Sequence, residues 1–156
     1  MAITVRRAEK RDAAKLFELI TALAHYEKLV PPGSDAQARL LEDGWGDRPR
    51  FEAWLAELDG RAMAYAIAFE TYSTFLARPT LYLEDIFVLP EYRRRNVGYE
   101  LFQRIALDAY DRGCGRMEWA CLEWNEPGLQ FYRRIDATPL ADWRYFRLDR
   151  DKMQLP

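Results

Sequence analysis

"TLYLEDIFVLPEYRRRNVGYELF", residues 80–102, decides how the chain is read. Residues 80–90 form an apolar, aromatic-rich run stopped by Pro90, which predicts a strand. Three arginines follow, Arg93, Arg94 and Arg95, and end at Asn96. From Val97 the pattern turns helical: Val97, Leu101, Ile105 and Ala109 fall on one face, and Gly113 fits the end of that helix. Strand, basic loop, small residue Gly98 and helix make an arrangement able to bind an anion. The first amides of a helix have no internal partners, the dipole favours negative charge there, and arginine adds charge-assisted hydrogen bonds. The alternative is a solvated charge run at a helix start, which is common on surfaces. On this segment alone both readings stand.

The flanking elements follow from periodicity and breakers. "ITVRRA" (3–8) alternates like a short strand, and Ala13, Leu16, Phe17, Ile20, Leu23 and Ala24 make an apolar helical stripe. "PPGSD" (31–35) breaks the chain, and Ser34 or Asp35 is expected to cap a second helix ending near "EDGWG". Two strands are expected around the Asp59-Gly60 turn. "RMEWACLEW" (116–124) reads as a strand covered on both faces, with Cys121 a small buried side chain. "NEPGLQFYRRID" reads as a short helix with Asn125 as N-cap and Pro127 in its first turn. "ADWRYFRLD" (141–149) reads as a last strand. The expected architecture is one α/β domain over 1–156, with a mixed, mostly antiparallel sheet.

Composition bounds the function. The chain has 156 residues, of which 49% are hydrophobic, so it has the means to bury a core. Lys+Arg 23 nearly balances Asp+Glu 25, and a net charge of -2 gives no general drive towards nucleic acid. No signal-peptide core and no membrane-length apolar run is present, so a cytoplasmic protein is expected. His25 is the only histidine, and Cys114 and Cys121 lack metal-ligand spacing. The chemistry is therefore expected to use no metal, and neither His nor Cys.

"YLEDIF" places Glu84 and Asp85 inside an otherwise apolar strand. Buried charge costs free energy unless it is paired or used. An arginine partner would make the pair structural, whereas a substrate would make it functional. Strand alternation predicts that these neighbours face opposite sides and cannot act through one face. Tyr132, by its own spacing, is an aromatic on an amphipathic helix. Trp45, Trp54 and Trp124 read as core.

Beyond these residues, the chain resembles the GNAT superfamily of N-acetyltransferases. "YRRRNVG" resembles its Arg/Gln-x-x-Gly-x-Gly/Ala coenzyme loop, with Arg93 as the leading basic residue and Gly98 as the last small one. "LLEDGWG" (40–46), "LYLEDIFVLPEYR" (81–93), "EWNEP" (123–127), "FYRR" (131–134) and "WRYFRLD" (143–149) resemble the branch that holds the spermidine/spermine (diamine) and thialysine N-acetyltransferases. The resemblance implies two neighbouring parallel central strands, 81–89 and 116–123, splayed apart to admit acetyl-CoA and flanked by helices. It implies that the pantetheine arm bonds to backbone around Ile86, Phe87 and Val88. The pyrophosphate would sit on Arg93, Arg94, Arg95, Asn96, Val97 and Gly98. Asn125 would lie along the coenzyme arm, and Arg133 would either reach the phosphates or remain solvated.

The same resemblance gives catalytic roles. Tyr132 would protonate the departing thiolate, a task within reach of a phenol of pKa ≈ 10. Glu84 would act as base or position a water, with Asp85 divided between substrate binding and structure. Tyr72 would help shape the acceptor pocket, and Glu27 would add attraction for ammonium groups. The implied function is acetyl transfer to a primary amine of a small cationic acceptor, in a homodimer. Acetylation of a protein N-terminus or lysine, and a CoA-binding regulatory module without turnover, are the alternatives. Asn96 and Asp136 stand where the family usually has glycine. Both residue types tolerate positive φ better than others do, but the Asn96 side chain would either crowd a phosphate or donate to it.

Overall fold

The computed structural model describes residues 2–155. Packing divides the chain after Ala120 into two compact units. The first unit is built on a five-stranded sheet in the order β1 (Ile3–Arg7), β2 (Glu52–Leu58), β3 (Arg61–Ser73), β4 (Arg78–Val88) and β5 (Arg116–Glu118). All neighbouring pairs are antiparallel except β4–β5, which is parallel. Helices α1 (Ala13–Tyr26) and α2 (Ser34–Trp45) precede β2, and α3 (Val97–Asp111) joins β4 to β5. This is the α/β, mostly antiparallel sheet expected. Among the described residues, no helix is long and apolar enough to cross a membrane.

Each face of the sheet carries its own core. Val97, Leu101, Ile105 and Ala109 of α3 bury the predicted stripe against Ala64, Ala66 and Ala68 of β3 and Leu81 and Leu83 of β4. The alanines on β3 leave room for α3 to pack close. On the other face Leu16 and Leu19 of α1 pack with Leu55, Tyr65, Ile67 and Phe87. The Asp59-Gly60 turn has positive φ at both residues (51° and 76°), as a two-residue hairpin of this hand requires.

Polar ties fix the frame of the first unit. Arg6 of β1 forks onto two carboxylates, Asp12 at 2.7 Å and Glu57 at 2.8 Å. It thereby joins β1, β2 and the entry to α1. The buried Trp54 donates from Nε1 to Asp108 of α3 at 3.1 Å, while Arg7 stacks over its ring.

Three expectations about elements fail. Neither Ser34 nor Asp35 caps α2; the cap position is Gly33, and no side chain bonds there. Residues 116–124 form a strand only at Arg116–Glu118, paired with Thr80–Tyr82. The β4 edge is bent just beyond that point, as described below, and offers no straight ladder to continue. Cys121 and Trp124 accordingly lie outside any strand, and Trp124 is exposed rather than core. Residues 141–149 lie outside any strand, and Trp143, Tyr145 and Phe146 are exposed. Alternation makes a segment competent to pair, but a strand also needs a neighbour with free backbone groups. The second unit contains no strand among its described residues.

The Arg6 fork makes stability depend on pH. Hydrogen bonds from Arg6 hold the buried Asp12 carboxyl down at about 2, below its ordinary 3.8. A depressed carboxylate contributes stability above its unfolded pKa and loses it as pH falls through the folded one. Urea unfolding of the wild type should therefore show stability falling between about pH 4 and pH 2, and Asp12→Asn should flatten that slope and lower stability at pH 7.

Candidate active site

Strand β4 does not alternate throughout. Leu83 lies opposite Ala68 and Asp85 lies opposite Ile67, so Glu84 is an extra residue with no partner of its own on β3. This is a β-bulge, which bends its strand and re-aims the side chains beyond it. The two cores record the switch: Leu81 and Leu83 face α3, whereas Phe87 faces α1, and Ile86 and Val88 pack on the α3 side. Glu84 and Asp85 consequently open into one cavity of about 470 Å³. The expectation that these neighbours face opposite sides fails, because alternation holds only along an unbulged strand.

The cavity has aromatic walls from Phe51 and Phe69 and aliphatic ones from Ile20, Leu40 and Ile67. Its remaining charges, Asp43 and Arg50, pair with each other at 3.0 Å. Neither Glu84 nor Asp85 is paired with an arginine among the described residues. The structural ion pair considered above is therefore not what holds them. Instead the Tyr65 hydroxyl donates to Asp85 Oδ2 at 3.1 Å. Burial, then the charge of Glu84, pushes Asp85 up to about 6, and the Tyr65 bond partly offsets this. Burial, and then the neighbouring Asp85, pushes the Tyr65 phenol far above its ordinary value. Glu27, the residue after α1, is raised by its own burial and by Glu84. Glu27 thus belongs to the electrostatic surroundings without lining the cavity. Tyr72 does neither: it lies near the end of β3, exposed, opposite Pro79.

The basic loop separates its arginines by task. Arg93 turns back on the fold: its Nε donates to the Val88 carbonyl at 3.0 Å, and its guanidinium lies over the rings of Tyr26 (4.9 Å) and Phe87 (5.5 Å). Arg94 and Arg95 are exposed, and neither has a carboxylate partner among the described residues. Arg95 stands 5.7 Å from the Tyr92 ring centroid, and Arg61, from the β2–β3 hairpin, stands 6.0 Å from the same centroid. Arg61 was not singled out from sequence, since only the hairpin's position brings it to this loop. Arg94 and Asn96 have left-handed φ, 61° and 69°. Asn96 takes the conformation that favours glycine, and its side chain makes no capping bond to α3. The N–H groups of Val97, Gly98 and Tyr99 therefore have no partner within the helix. Open amides beside Arg94 and Arg95, next to a β4 edge unpaired by β5 beyond Tyr82, fit a phosphate-bearing ligand with an extended arm.

The second unit carries α4 (Glu126–Arg134). Asn125 is its N-cap, and the side-chain oxygen accepts from the Gly128 N–H at 3.3 Å. A Cβ at Gly128 would lie 2.7 Å from Asn125 Nδ2, so the cap needs a glycine there. Tyr132 lies on α4, where its ring meets Phe131 edge-on. Arg133 is paired along the helix with Glu126 at 3.1 Å. Asp136 closes the helix with φ 62°, its N–H bonded to the Arg133 carbonyl.

Residues 14–136 match the description "Acetyltransferase (GNAT) family". The chain belongs to this family. As a GNAT protein it is an N-acetyltransferase, and acetyl-CoA is the family's co-substrate. Thialysine N-epsilon-acetyltransferase of Sus scrofa is 32% identical over 163 aligned residues, which cover 97% of this chain and 95% of the relative. Spermidine/spermine N(1)-acetyltransferase-like protein 1 of Homo sapiens is 28% identical, over 96% of this chain and 23% of that protein. These matches fall in the branch that the sequence motifs resemble. Among solved structures, an integron cassette protein from the mobile metagenome of V. cholerae shares the fold with a TM-score of 0.84. It is 19% identical, and the match covers 98% of this chain and 96% of that one.

The contacts of Arg93 predict a split among the arginines. Arg93→Ala should lower thermal stability, by roughly 1–2 kcal/mol for a lost hydrogen bond and cation–π contacts. Arg94→Ala and Arg95→Ala should leave the melting temperature unchanged and instead weaken acetyl-CoA binding in titration calorimetry.

Proposed function

We propose that the protein transfers the acetyl group of acetyl-CoA directly to a primary amine on a small aliphatic cation, such as a polyamine, thialysine or a lysine-like amino acid. The observation that carries this reading is the cavity into which the β4 bulge turns both Glu84 and Asp85. Two carboxylates without an arginine partner attract a cation, and the aromatic and aliphatic walls suit a methylene chain. The activities for which the relatives in this branch are named support the same class of acceptor. The reading includes one catalytic domain over 1–156, because the relatives align across the whole chain. It also includes a homodimer in the cytoplasm, on family resemblance.

In this reading acetyl-CoA supplies the activated acetyl group as a thioester. Backbone groups of Ile86, Phe87 and Val88 bind its arm, and the α3 amides of Val97 and Gly98 with Arg94 and Arg95 bind its pyrophosphate. Arg93 supports this loop from below through Val88. Asn125 lies along the coenzyme arm, and Arg133, paired with Glu126, reaches towards the phosphates. The acceptor amine, of pKa near 10.4, arrives protonated. Glu84, the more exposed carboxylate, takes its proton through water, while Asp85 holds the positive charge of the acceptor and Glu27 adds attraction from outside the cavity. Tyr132 gives a proton to the departing thiolate.

The test is a panel of amines incubated with acetyl-CoA while free thiol is followed. Diamines and lysine analogues should be acetylated, and release of thiol with none of them would remove the acceptor assignment. Tyr132→Phe should keep coenzyme affinity and lower kcat about 10²–10⁴-fold, the usual contribution of an acid catalyst. Glu84→Gln should lower kcat/KM most at neutral pH and recover partly at high pH, where free amine is plentiful. An equal loss at every pH, seen only in KM, would make Glu84 a binding residue.

A further inference from the structure

Tyr65 has no role in the chemistry above, yet its hydroxyl is committed to the acceptor cavity. The residue sits on β3 opposite Phe87 and is fully buried among Leu16, Leu55 and Ile67. Packing alone asks only for the ring, and phenylalanine would supply it. The hydroxyl reaches diagonally along β4 and donates to Asp85 Oδ2 at 3.1 Å. This contact exists because of the bulge. If β4 alternated regularly through Glu84, Asp85 and Leu83 would share the α3 face, on the opposite side of the sheet from the Tyr65 ring.

We propose that Tyr65 is a positioning residue for the amine acceptor: its hydroxyl pins one oxygen of Asp85 within the fold, turns the other towards the cavity and keeps the carboxylate ionised to receive an ammonium group. The proposal rests on the acetyltransferase reading of this cavity.

The surroundings explain why such a donor is needed. Glu84 adjoins Asp85 on β4, and Glu27 approaches from the end of α1; both carry the same sign. Across the cavity, Asp43 of α2 and Arg50 ahead of β2 neutralise each other. Burial, Glu84 and Glu27 all raise the proton affinity of Asp85, while the Tyr65 hydroxyl lowers it. An arginine in place of the phenol would hold Asp85 ionised more firmly, but it would also spend the charge that attracts the substrate. A neutral donor stabilises the carboxylate and leaves its charge available. The phenol is itself pushed well above its ordinary value, so it remains a donor throughout the neutral range.

The sign of the test follows. Removing the hydroxyl takes away a bond to the ionised form, so Asp85 should protonate at higher pH. Tyr65→Phe should move the acidic limb of kcat/KM for 1,3-diaminopropane upward by roughly one pH unit. At pH 7 KM should rise several-fold while kcat at saturating amine is largely kept. Carbon-13 NMR of the Asp85 carboxyl, on protein without substrates, should show the same upward shift. Replacing Tyr65 by 3-fluorotyrosine, a more acidic phenol of nearly the same size, should shift the midpoint downward, and this variant keeps the test open if Tyr65→Phe folds poorly. A lower melting temperature with an unmoved Asp85 midpoint and an unmoved acidic limb would reduce Tyr65 to a core aromatic and overturn the proposal. If no amine were acetylated the function proposed above would fail, yet the NMR titration would still decide whether Tyr65 governs the charge of Asp85.

Discussion

The site depends on one irregularity, the extra residue that Glu84 inserts into the β3–β4 ladder. Before it, the odd-numbered side chains of β4 serve the core under α3; after it, they serve the core under α1. Two consequences follow from that single bend. Adjacent carboxylates reach one cavity, which a regular strand forbids. The far edge of β4 also departs from β5, so the parallel pairing ends at Tyr82–Glu118 while β4 runs on to Val88. The cavity that takes Glu84 and Asp85 and the open strand edge thus lie at the same backbone feature.

Charge is distributed by a simple division. The first unit is rich in arginine, and much of it is consumed in the frame: Arg6 with Asp12 and Glu57, Arg7 and Arg112 with Glu52, Arg104 with Asp108. These contacts tie β1, β2 and α3 together at positions away from the cavity. Glu27, Glu84 and Asp85 are left without guanidinium partners among the described residues; Asp85 is bonded to one phenol, whereas Glu84 is exposed. Arg61, Arg94 and Arg95 are likewise left without carboxylates at the start of α3. A chain of nearly zero net charge thereby carries one locally acidic and one locally basic site.

The loop ahead of α3 shows how a family feature survives a substitution. Glycine is favoured there because it takes positive φ at no steric cost. Asn96 takes the same conformation, and Asp136 does so after α4. The cost is on the order of 1 kcal/mol at each position. Asn96 makes no capping bond to the helix, so its amide is free of that duty. Arg93 meanwhile trades a place at the helix N-terminus for a hydrogen bond to Val88 and two aromatic faces, which stiffens the loop on the strand that precedes it.

Sequence by itself determined the elements whose signals are local. The α3 stripe, the Asp59-Gly60 hairpin, the Asn125 cap and the left-handed tolerance of Asn96 and Asp136 are each written in a few adjacent residues. Spaced motifs also determined the family. What depended on neighbours was not legible there. The segment 141–149 alternates as a strand should, but no ladder receives it. Residues 116–124 are apolar enough for a strand, but the bent edge of β4 stops their pairing after three residues. The opposed faces assigned to Glu84 and Asp85, the Arg93 contact with Val88, and the approach of Arg61 to Tyr92 were all decided by tertiary structure. A β-bulge leaves no mark in the periodicity of its own strand, because it exists only in the register between two strands, and register is set by how the whole sheet packs.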